Sequence, residues 1–145
     1  MFAMFFIAGI TCWVTMFSPA QAVSADLTAN PPLFDNLGSL HHPITTTSEQ
    51  AQRYFDQGLR LVYAFNHEEA IRSFEAATQE DSQAPMPYWG IALALGPNIN
   101  SAMEKKHERQ AIEMAQKAQR LASHTTRGEK AYIDALVTRY VSKKG

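Results

Sequence analysis

The chain of 145 residues has a single cysteine, Cys12, and it lies inside the apolar opening "MFAMFFIAGITCWVTMFSPAQA". That opening has no charged side chain, is strongly apolar from Met1 to Phe17, and breaks at Ser18-Pro19 before the small-x-small signal Ala20-Gln21-Ala22. It reads as a secretory signal peptide over residues 1–22 with cleavage after Ala22, although the usual basic n-region is missing. The alternative, an uncleaved anchor, meets an apolar run a little short for ~30 Å of hydrocarbon. "AGITC" also lacks the Leu and the small residue before Cys that lipid attachment requires. A chain starting at Val23 then has no thiol at all, which excludes disulfides, thiol catalysis and thiolate metal ligation. Basic blocks are absent too, and the net charge of -1 with mixed signs points away from nucleic acid. No nucleophile–base pair, Gly-rich phosphate loop or H-E-x-x-H motif occurs; the position four residues after His67 is Ile71.

What the sequence does contain is helical periodicity. Residues 23–47 form an extended lead-in, because Pro31, Pro32 and Pro43 oppose helix. Thr47-Ser48-Glu49-Gln50 then supplies an N-cap, and apolar or small residues recur at 51, 54, 55, 58, 61, 62 and 65. Asn66 is expected to cap a second helix, with Glu69 returning the bond and Ala70, Ile71, Phe74 and Ala77 as its stripe. A third helix is expected over 86–95, stopped by Gly96-Pro97. A fourth is expected over 104–122, striped at Ala111, Ile112, Ala115, Ala118 and Ala122. The fifth starts at Thr126 with Glu129 as capping partner and carries Ala131, Tyr132, Ala135, Leu136 and Tyr140. The prediction is an all-α chain with a helical domain over 48–145.

Repeated helix pairs raise the question of a solenoid. Against the tetratricopeptide pattern, with Ala51 first, Tyr54, Gly58, Ala70, Phe74 and Ala77 fall at the right offsets, while Gln57, Leu61 and Ser82 depart. Tyr88, Ile91, Ala92 and Leu95 fit the first helix of a second repeat, whose second helix fits only if "GPNINSAM" is an insertion. Gly58, Ala70 and Ala77 have a physical reason, since closely crossing helices leave room only for small residues.

The phrases "LHHPITT", "YFDQGLRLVYAFNHEEAIRSFEAA" and "PYWGIALALGPNIN" resemble the N-terminal part of much longer secreted bacterial tetratricopeptide-repeat proteins, over residues 37–141. The resemblance implies an exported α-solenoid of antiparallel helix pairs, about two and a half repeats of it here, in the periplasm or outside the cell, and it implies little about activity. Many relatives carry cysteines flanking the Met before the aromatic pair; Ala84 and Pro87 stand there in this chain. Relatives also continue through further repeats. The chain is therefore expected to be a fragment whose unpaired fifth helix exposes Tyr132, Leu136 and Tyr140.

Two functions follow as expectations. The preferred one is a noncatalytic scaffold that binds a protein or peptide partner, with no required cofactor, no nucleic acid and no membrane after signal cleavage. Its groove, on the face tetratricopeptide arrays usually use, is Phe55, Leu59, Val62, Trp89, Gly90 and Leu93. The Lys and Asn of a carboxylate clamp are absent, so the groove is either an apolar binding surface or is covered by the lead-in or later repeats. The alternative is a divalent-metal protein or metal-dependent enzyme using His41, His42 and His67, with the missing ligands from downstream repeats. In it, Asn66, His67, Asn98 and Asn100 converge along one edge. The first helix is roughly 24 Å long, and from His42 to Ser48 the chain reaches about 20 Å, so His42 approaches His67 only if the lead-in folds straight back along that helix. His107 and His124 are expected to be solvated.

Overall fold

The computed structural model describes residues 30–99 and 105–141. The predicted signal segment and Asn100 lie outside the described residues. Five α-helices follow in chain order: α1 (Glu49–Tyr63), α2 (His67–Glu80), α3 (Pro85–Leu95), α4 (Lys105–Leu121) and α5 (Arg127–Val141). A 3-10 turn, Ala122–His124, extends α4. Among the described residues there is no strand, and the fold is all-helical.

Local chemistry sets the helix ends. Ser48, rather than Thr47, caps α1, its hydroxyl accepting from the Ala51 N–H at 3.1 Å. α1 ends at Ala64–Asn66, where the Phe65 N–H donates to the Val62 carbonyl and the Asn66 N–H to that of Leu61. This double bond pattern requires a left-handed residue, and Phe65 takes it at φ 60°. The same bonds correct one expectation about α2. Asn66 accepts from the Glu69 N–H, but Glu69 does not return the bond, because its carboxylate pairs with Arg72 at 2.9 Å. The capping box of α5 is complete: Thr126 and Glu129 each bind the other's N–H.

A three-residue turn sets α1 and α2 antiparallel, with mid-helix Gln57 on Ser73 at 3.2 Å. Phe74 of α2 is fully buried and lies between α1 and α3. A Cβ on either Gly58 or Gly90 would fall 2.6 Å from its ring. The two glycines are what let three helices meet around one ring. Beyond them, the small face Ala111, Ala115 and Ala118 lets α4 close on α3, and Ile133 completes the core from α5.

The stripe predicted for α5 is corrected. Ile133, Leu136 and Tyr140 are buried, whereas Ala131, Tyr132 and Ala135 are exposed. α3 and α4 cover Leu136 and Tyr140 without any following helix, and the Tyr140 hydroxyl donates to the Ala92 carbonyl at 2.5 Å. Burial there pushes the Tyr140 phenol above its ordinary range, against the opposing charge of Arg139.

The lead-in is a strap held by α1. The Phe34 N–H donates to Gln57, whose amide donates to the Pro32 carbonyl. Gly38, at φ 82°, lies where the strap turns back. Arg60 then takes the Leu40 carbonyl, Asp56 the His42 N–H, and Gln52 both the His42 carbonyl and the Ile44 N–H. Residues 40–44 therefore run back along α1 as a shared histidine site would need. Every residue of α1 from Tyr54 to Leu61 except Arg60 is buried, polar Asp56 and Gln57 included.

Candidate functional site

Among the described residues, cavities include one of about 160 Å³ between the strap and α1, lined by Leu33, Phe34, Arg53, Asp56, Gln57 and Arg60, and two others where more than two elements meet. The smaller of these two, about 70 Å³, is lined by His42, Leu59, Tyr63, Trp89 and Tyr132. Four elements build it. The strap contributes His42, fixed through its own backbone at 2.9 Å from Asp56 and at 2.9 Å from Gln52. α1 contributes Leu59 and Tyr63, one turn apart and so on one face. α3 contributes Trp89, whose indole N–H donates to the Tyr132 carbonyl of α5 at 3.1 Å, and α5 adds the Tyr132 ring. The Trp89 and Tyr132 ring centres lie 5.8 Å apart at 59°, and those of His42 and Tyr132 lie 6.0 Å apart at 78°. Rings so inclined wall a space instead of stacking flat on one another.

The larger cavity, about 550 Å³, lies at the other end of α1, between Thr45–Thr47, the α2–α3 turn and the end of α4. Its polar wall includes Asp81, Gln83, Arg120 and His124. Asp81 is committed to the strap, accepting from the Thr46 hydroxyl at 2.6 Å and the Thr47 N–H. Burial pushes the Asp81 carboxyl up, but bonds from Thr46, Gln83, Thr47 and Ala84 together hold it below its ordinary value. Glu129 behaves alike: burial raises it, and bonds from the Thr45 hydroxyl and N–H and from Thr126 bring it lower still.

The predicted groove residues divide. Phe55 is fully buried between His42 and Phe74, and Gly90 lies against Phe74, so neither offers surface to a partner. Leu59 forms a wall of the small cavity, and Val62, Trp89 and Leu93 are half-buried. The strap covers part of this face, and Trp89 remains accessible.

The predicted metal residues do not form one cluster. Among the described residues, no group of three or more His, Cys, Asp or Glu is placed to hold a metal ion. His41 Nδ1 is 2.7 Å from Asp56, and His42 packs between Phe55 and Tyr132. His67 meets the Phe65 ring edge-on, with both ring nitrogens buried and unbonded. Asn66 is spent on its cap, and the turn beyond α3 is tied elsewhere, Arg139 donating to the Pro97 carbonyl. His124 is exposed and His107 half-buried.

Sequence reasoning missed Tyr63, and it assigned Tyr132 to a packing stripe. It also missed the strap-holding set Gln52, Asp56, Gln57 and Arg60. The available signal was Asp56-Gln57, two polar residues inside an apolar run whose neighbours on both sides must be buried.

Comparison with family models, with curated proteins and with solved structures finds no match to this chain in any of the three.

Proposed function

We propose that this chain is a noncatalytic interaction module of the tetratricopeptide type, exported from the cytoplasm, that receives a protein or peptide partner on the face where α1, α3 and α5 meet. The observation that carries the reading is the cavity walled by Tyr63, Trp89 and Tyr132. Tyr63 and Tyr132 are 69% and 52% exposed, large rings left open beside a half-buried indole. Exposed aromatic side chains around a small depression are the usual anchors of binding energy. The quoted sequence phrases and the short-turn helix pairs support the repeat assignment. No described helix is long and apolar enough to cross a membrane.

The test places a photoreactive phenylalanine analogue at Tyr63 and, as control, at exposed Gln116 of α4, in cells that express the protein. A defined crosslinked partner at position 63, absent at 116 and lost with Trp89→Phe, carries the reading. Equal crosslinking at both positions overturns it. Bound metal that disappears from a folded His67→Ala variant of the full-length protein would replace it with the metal reading. Export is tested separately: N-terminal sequencing of the exported protein should begin at Val23, and a start at Met1 removes that part.

A further inference from the structure

The size of the aromatic cavity limits its guest. The volume is about 70 Å³, and the space opens to solvent beside Tyr63 and Tyr132, which are 69% and 52% exposed. That volume is well under the ~300–1,000 Å³ of sites that enclose whole metabolites. The guest is therefore one compact group, with the remainder of its molecule outside.

The walls choose the chemistry. Around this space stand the indole of Trp89, the phenols of Tyr63 and Tyr132 and the imidazole of His42, with Leu59 as the one aliphatic side. An aromatic face carries partial negative charge and attracts a cation, Trp most strongly. The indole donor is already spent on the Tyr132 carbonyl, so Trp89 offers its ring and not its N–H. No Lys or Arg lines the space to compete for those faces, and no Asp or Glu lines it either. The missing carboxylate separates two kinds of cation. A primary ammonium brings three N–H donors that need acceptors, and losing their hydration here would be poorly repaid. A quaternary ammonium has no donor to lose and presents methyl groups to the rings.

Preorganisation supports the same assignment. Trp89 is pinned to the α5 backbone, and His42 is pinned to α1 by its own N–H and carbonyl, so these two walls are set before any guest arrives. We infer that this cavity is a binding site for the quaternary ammonium group of a small soluble molecule of the choline type. The inference rests on the reading of this face as a binding face, and it goes beyond that reading in naming the chemistry bound.

The experiment is calorimetric titration of the full chain at pH 8 with choline, with tetramethylammonium, and with 3,3-dimethylbutanol, the uncharged carbon analogue of choline. Saturable binding of both cations, at least tenfold tighter than the neutral analogue, is expected. Tyr63→Leu and Tyr132→Leu should each weaken choline about tenfold. Both sites are exposed, so the folded state is retained, and circular dichroism checks it. Equal binding of choline and dimethylbutanol overturns the cation assignment while leaving an apolar binding face intact. Binding of neither overturns the site itself, and the crosslinking outcome at position 63 then decides the interaction reading independently. Phosphatidylcholine vesicles provide the last arm: cosedimentation with vesicles without a saturable response to soluble choline overturns the proposal in favour of a lipid surface.

Discussion

The ring of Phe74 occupies the space that a β-carbon on Gly90 would need, 2.6 Å from where that atom would sit. Gly58 stands in the same relation to the same ring from the neighbouring helix. Because Phe74 has no exposed surface, it has nowhere to retreat.

Gly90→Ala therefore sets two effects against each other. Alanine favours a helix by about 1 kcal/mol, while overpacking a filled core costs about 1–3 kcal/mol. The clash is with a rigid aromatic ring, so overpacking wins and the variant is destabilised. Urea unfolding should show a lower midpoint at unchanged slope; a higher midpoint would contradict the packing described.

Phe65 gives the opposite case. It sits left-handed at the end of α1, a conformation that costs an ordinary residue about 1–2 kcal/mol. Its side chain is 58% exposed, so little packing is lost on removal. Phe65→Gly is expected to raise stability by about 1 kcal/mol in thermal or chemical melts, and a loss of stability would show that the Phe65–His67 ring contact outweighs the strain.

His67 has two buried ring nitrogens without partners, and groups of that kind are costly. His67→Phe removes the unmet polar atoms and keeps the edge-on ring contact. Equal or greater stability is the expected outcome, measured by equilibrium unfolding. A drop of more than about 1 kcal/mol would show that the nitrogens have a partner in the folded protein.

Acid should loosen the strap from the helices. The carboxyls of Asp81 and Glu129 are both held below their ordinary values of 3.8 and 4.5. Each therefore adds stability that is present above its ordinary value and is lost as pH falls through the lower folded one. Amide exchange at Thr45, bound to Glu129, should stay protected down to about pH 4.5, and at Thr47, bound to Asp81, down to about pH 3.8, each losing protection as pH falls further. Glu129→Gln should flatten the response at Thr45 alone. Protection at Thr45 that falls away well above pH 5 would contradict this.

The helices were legible because their signals are local. Asn66, the Gly96-Pro97 stop and the Thr126/Glu129 box mark element boundaries close to those observed, since caps depend on neighbours within four residues. Gly58 and Ala77 announced close helix contact for the same reason, a shortage of side-chain volume. The α5 stripe was misread because Ile133 and Tyr132 are adjacent, and only the positions of α3 and α4 decide which of the two turns inward. The aromatic cavity was half visible, with Leu59 and Trp89 named from the repeat pattern. Tyr63 and Tyr132 join it through tertiary geometry that periodicity does not encode, and Phe55 left the surface because the strap returns over it.

The strap is gripped mainly through its main chain. Gln52, Asp56, Gln57 and Arg60 address N–H and carbonyl groups of residues 32–44, and only His41 is met there by a side chain. A grip of that kind is nearly blind to which amino acids it holds. Mutational drift can run through Asn36, Ser39 and Leu40 at small cost, while a new proline at 34, 42 or 44 deletes a donor that α1 requires. Constraint is thereby divided unevenly: four polar positions on one helix are tied to the grip, while in the segment they hold only Leu33, Leu37, His42 and Ile44, whose side chains pack inward, are tied as closely.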